Sequence, residues 1–74
     1  MRAIVITHCP LKAITEKELF AMSKTDKELI DAINRKKSVL EQEGIEIFGQ
    51  EKNSIVTENG YYFAFFEEDL EGVL

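Results

Sequence analysis

The chain has 74 residues, a formal net charge of -5 and an apolar fraction of 45%. That length makes one small domain, and so apolar a chain is not a disordered one. The acidity argues against broad attraction to phosphate backbones or anionic membranes, and no apolar run approaches the ~20 residues that span a bilayer.

A domain this short buries roughly 60% of its unfolded surface, so dimerisation or docking on a partner would support it. One cysteine excludes an internal disulfide, and a reducing, cytoplasmic setting is expected. The run "AIVI" is too short for the apolar core of a signal peptide.

In chain order, "AIVIT" (Ala3 to Thr7) reads as a strand, apolar throughout, and Pro10 ends it. Between them stand His8 and Cys9. A cysteine ahead of a helix and beside a histidine suits a thiolate nucleophile. Against this, neighbours on an extended chain point to opposite sides. No second cysteine resolves a disulfide, and one His with one Cys falls short of a zinc ligand set. His8 and Cys9 are therefore expected to be packing residues at a strand end, with no metal and no cofactor.

"ITEKELFAMS" carries a capping box. Thr15 accepts from the Glu18 amide, Glu18 reaches back to Thr15, and Ile14 and Leu19 occupy the staple positions. A short helix over 16 to 23 is predicted. "TDKELIDAINRKKSVLEQEGI" repeats the device with Thr25 as cap and Glu28 closing the box. This second helix is predicted to run to Glu43, where Gly44 suits a left-handed cap with Leu40 and Ile45 in contact. Its apolar stripe is Leu29, Ile33 and Leu40, flanked by Ile30, Ala32 and Val39. Lys36 projects into that stripe and must lift its ammonium out along the core, find an acid, or face a partner. Asp31 with Arg35 and Lys37 with Glu41 are spaced as helical ion pairs.

After Gly44 the period falls to two. "IEIFG" is a strand, "QEKN" a loop and "SIVTE" a strand. Asn59-Gly60 signals a type I′ hairpin turn pairing Glu58 with Tyr61 and Val56 with Phe63. "YYFAFF" (Tyr61 to Phe66) is apolar on both faces, which a strand exposed on one face would not be.

The segment "TEKELFAMSKTDKELIDAINRKKSVLEQEGIEIF", followed by "ENGYYFAF", resembles the second half of a winged-helix DNA-binding domain over about residues 15 to 66. A short helix, a recognition helix and a β-hairpin wing follow in that order there. The resemblance implies Lys27, Asn34, Arg35 and Lys37 as contacts to phosphate or bases. The leading strand, the acidic chain and a wing with one Lys against two Glu depart from the family pattern.

The expectation is thus a single α+β domain in the order β-α-α-β-β-β. An antiparallel meander and the N-terminal strand, paired with the last strand, share one sheet, two helices cover one face, and an acidic tail spans 67–74. On that arrangement the aromatic second face is uncovered and implies a partner or a second copy. The leading functional reading is a protein-interaction module, regulatory or inhibitory, and not an enzyme. Its contacts are expected at Tyr61, Tyr62, Phe65, Phe66 and Lys36, and at the acidic Glu67, Glu68, Asp69 and Glu71. A homodimer is the default. The alternatives are the winged-helix regulator and a thiol-dependent enzyme or redox protein using Cys9.

Overall fold

The computed structural model describes residues 3–70. It holds β1 (Ile4–Cys9), α1 (Glu16–Met22), α2 (Lys27–Gln42), β2 (Ile47–Glu51), β3 (Ser54–Thr57), β4 (Gly60–Phe66) and a helical turn, α3 (Glu67–Leu70). The four strands form one antiparallel sheet in the order β1-β4-β3-β2. The α+β fold, the meander and the pairing of the N-terminal strand with the last one agree with the sequence reading. Among the described residues no helix is long and apolar enough to cross a membrane.

Local chemistry accounts for the helix ends. Thr15 and Glu18 form the capping box in both directions, at 3.2 Å and 2.9 Å. At α2 the cap is Asp26, not Thr25. Its carboxylate accepts from the Glu28 amide at 3.0 Å, so an acidic cap one residue later displaces the threonine. Past the last turn Gly44 lies at φ 81°. The Ile45 amide reaches the Leu40 carbonyl at 3.0 Å and the Gly44 amide reaches Glu41 at 3.1 Å. Together these two bonds form the Schellman ending.

The strands differ from expectation in their limits. β1 continues through His8 and Cys9, which pair with Tyr62 and Tyr61. β2 begins at Ile47 and runs on to Glu51, and only Lys52 and Asn53 separate it from β3. Lys52 takes the left-handed conformation that this tight loop demands, at φ 45°.

The last hairpin turns one residue early. Thr57 pairs with Gly60 and Val56 with Tyr61, leaving Glu58 and Asn59 as the loop. The Thr57 hydroxyl explains the shift, accepting from the Asn59 amide at 3.1 Å and donating to the Gly60 carbonyl at 3.0 Å. The register moves by two residues in all, so every side chain keeps its face.

Both faces of β4 are covered, but by different helices. Tyr62, Ala64 and Phe66 join Ile55 against Leu29, Ala32, Ile33 and Leu40 of α2. Phe63 and Phe65, on the opposite face, join Cys9 against Ala21, with Met22 and Ile14 beside them. The expectation of two helices on one face is thereby corrected. Four residues, Ser23 to Asp26, carry the chain from one side of the sheet to the other. The physical reason lies in β4 itself, since a strand apolar on both sides is stabilised only when each side is buried.

Candidate functional site

The outer strands are β1 and β2, and they end the sheet very differently. The direction of the β1 backbone groups follows from one bond. The Glu67 amide donates to the Ala3 carbonyl at 2.8 Å, so Ala3 and Glu67 are a hydrogen-bonded pair. Such pairs alternate along an antiparallel ladder. Val5, Thr7 and Cys9 therefore face β4 with their backbone groups, opposite Phe65, Phe63 and Tyr61. The backbone groups of Ile4, Ile6 and His8 point away from the sheet. The other side of β4 agrees, since the Ala64 amide donates to Asn53 at 2.9 Å, giving its even residues to β3.

Among the described residues the open edge of β1 carries no guard of its own. It has no bulge, no Pro before Pro10 and no charged side chain from Ile4 to Cys9. β2, in contrast, carries a register irregularity between Ile47 and Gly49 and ends at the exposed Glu51 and Lys52. The Gln50 side chain also ties it to α2, donating to Asn34 Oδ1 at 2.6 Å. Bulges and charges of this kind keep an edge from pairing with another chain.

Beside β1 runs a groove of about 340 Å³ between the strand and α2, lined by Ile4, Ile6, Ala32, Arg35, Lys36 and Val39. Ile6 is 36% exposed and Val39 is 43% exposed. Val39, which flanks the buried stripe of α2, thus stands open. At one end of β1 His8 stacks on Tyr62, with ring centroids 4.5 Å apart. Its Nε2 donates to the Asn59 carbonyl at 2.9 Å. The Lys36 ammonium lies 5.4 Å from the Tyr62 ring centroid. The lysine in the apolar stripe thus finds an aromatic face, a contact worth roughly 0.5–1 kcal/mol when exposed. Among the described residues neither Arg35 nor Lys36 is in an ion pair. The helical pairs of Asp31 with Arg35 and Lys37 with Glu41 are not formed there either.

The residues expected to bind a partner are scattered. Phe65 and Phe66 are 2% and 3% exposed, on opposite faces of β4 and inside the chain's own two cores. They form no contact surface. Tyr61 and Tyr62 are half-buried, Tyr61 stacking on Phe63 with centroids 5.7 Å apart. The acidic stretch begins as α3, where Asp69 pairs with Lys24 at 2.7 Å. Glu67 and Glu68 are exposed, and Glu71 lies outside the described residues. Lys36 alone of these borders the β1 groove.

The residues implied by the winged-helix resemblance do not converge. Lys27 and Arg35 are exposed, Lys37 is half-buried and Asn34 is held by Gln50. The sheet separates α1 from α2, which a helix-turn-helix would pack together.

Cys9 is buried, and its thiol donates to Glu18 Oε1 at 3.0 Å. Burial, then the hydrogen bond to Glu18 and that group's charge, pushes the thiol up to about 11. A lowered value, as a thiolate nucleophile needs, is not found. Among the described residues no group of His, Cys, Asp and Glu gathers around a metal position.

The pairing of β1 with β4 was legible in the sequence, but the open edge it leaves was not singled out as a contact surface. The available signal was the absence of charge from Ile4 to Cys9. No family model, no curated protein and no solved structure matches the chain.

Proposed function

We propose that this protein is a small interaction module, regulatory or inhibitory in role. It takes up an extended segment of another protein, or of a second copy, along the open edge of β1. The observation that carries this reading is the difference between the two sheet edges. β2 is guarded by a bulge, charges and a tie to α2, whereas in β1 the backbone groups of Ile4, Ile6 and His8 turn outward and pair with no other strand among the described residues. Strand addition draws affinity from main-chain hydrogen bonds and selectivity from pockets for alternate side chains. The groove beside Ile6 and Val39 supplies such a pocket on the α2 side. Recognition of this kind needs no cofactor and no metal. A reducing, cytoplasmic setting suits a chain whose one cysteine is a buried thiol.

The test uses the peptide Thr-Ile-Thr-Glu-Thr-Ile-Thr-Glu-Thr, added to isotope-labelled protein and followed by amide chemical shifts. Shifts centred on Ile4, Ile6 and His8 are expected. Ile6→Pro deletes one outward amide without touching the β1–β4 ladder, as edge strands tolerate. It should fold and lose the shifts. Ile6→Lys, a natural edge guard, serves if the proline variant unfolds. Shifts centred on α1 or β2, or none at all, defeat the reading.

A further inference from the structure

We infer that the occupant of the β1 edge is a segment of another protein whose apolar and acidic side chains alternate along one face. This rests on the strand-addition reading above and names its partner. Ile4, Ile6 and His8 have their side chains on the α2 side of the sheet, in register with Phe66, Ala64 and Tyr62. Every second side chain of an added strand therefore lies on the same side, beside α2, while those between fall next to Val5 and Thr7. The α2 side of this edge is chemically mixed. Ile6 and Val39 offer exposed apolar surface, and Arg35 and Lys36 line the same groove as cations. In a chain of net charge -5, these are two adjacent cations that form no ion pair among the described residues and stand beside open apolar surface. Carboxylates on the incoming strand complement them, and apolar residues between the carboxylates cover Ile6 and Val39.

A second copy fits this edge less well. From Ile4 to Cys9 the strand "IVITHC" contains no carboxylate. Pairing it with itself brings a second Arg35 and Lys36 to the same edge, like charges that oppose association. A basic or neutral partner strand leaves the two cations without complement.

The experiment compares the Thr-Ile-Thr-Glu-Thr-Ile-Thr-Glu-Thr peptide with its isosteric Glu→Gln counterpart, by calorimetry and amide shifts. Sedimentation of the protein alone is run at several concentrations. The glutamate peptide should bind about threefold to tenfold more tightly, the range that two partly exposed ion pairs supply. The advantage should shrink with added salt and fall in Arg35→Gln, which removes one of the two cations at an exposed position. Equal or tighter binding of the glutamine peptide at the same amides overturns the acidic preference and leaves strand addition standing. Dimerisation of the protein alone, with slowed exchange at Ile4, Ile6 and His8, makes a second copy the occupant and overturns the inference. Absence of any shift at those amides defeats both.

Discussion

The Cys9 thiol donates to one oxygen of the Glu18 carboxylate at 3.0 Å, and the other oxygen accepts from the Thr15 amide at 2.9 Å. One side chain thus joins the start of α1 to the end of β1 and seats the helix on its face of the sheet. Glu18→Ala removes the capping box and the thiol's acceptor together. A loss of about 1–2 kcal/mol is expected in urea unfolding. Cys9→Ser keeps a donor in place and should fold with a smaller loss. A neutral Glu18→Ala would show that α1 is held by packing alone.

The same thiol sets an alkaline limit. Its folded value, about 11, stands above the 9.0 of an unperturbed cysteine. Between these values the unfolded chain has released the proton and the folded chain retains it, so unfolding gains ground as pH rises. The contribution is complete below about 9 and lost through about 11. Thermal melts of wild type and Cys9→Ala should converge over that window, because all other titrations are common to both. A difference that stays constant with pH would contradict the assignment.

The two-sided core makes a prediction about aromatics. Phe65 lies in the cluster with Cys9, Ala21 and Phe63 and is 2% exposed, whereas Phe20 is 74% exposed. Phe65→Ala should cost about 3–5 kcal/mol, enough to unfold so small a domain. Phe20→Ala should stay within about 0.5 kcal/mol of wild type. Circular dichroism melts of the two variants decide it, and comparable losses would refute the assignment of faces.

Two glycines should respond differently to alanine. Both have positive φ, 81° at Gly44 and 126° at Gly60. A Cβ at Gly44 meets nothing, whereas one at Gly60 runs into the Cys9 carbonyl and crowds the His8 ring and Pro10. Gly44→Ala should cost about 1 kcal/mol. Gly60→Ala should cost several times that, since β4 must also move away from β1. Equal losses in denaturant titrations would mean that the turn shifts freely.

Asn53 is fully buried in the tight loop between β2 and β3, where its amide donates to the Ala64 carbonyl and Oδ1 has no hydrogen-bond partner. Asn53→Asp would bury a carboxylate in that place. The variant should lose about 3 kcal/mol or more near neutral pH. It should regain part of that on acidification, because burial raises the carboxyl and the neutral form is tolerated. Stability that is flat in pH would place the new side chain in water.

The chemistry that ends α1 and α2 lies within the local sequence, whereas the turn α3 stood in what read as an acidic tail. Thr15 with Glu18, Glu41 with Gly44 and Leu40 with Ile45 are contacts between residues three to five positions apart, so the pattern contains both partners. The cap at Asp26 was misread by one position because two competent capping residues stand side by side. The strands were legible as elements, through alternation and the glycine turn, but their register was not. It depended on the Thr57 hydroxyl and on the close approach of Gly60 to Cys9, fifty-one positions away in the chain. The side of the sheet taken by α1, the depth of Phe65 and Phe66 and the gathering of Arg35 and Lys36 in one groove with Ile6 had the same origin. Each is a relation between segments distant in sequence, chosen when a strand apolar on both faces was buried from both sides. Composition and local pattern could state that both faces of β4 must be covered, while only the three-dimensional packing decided that α1 and α2 would divide the task.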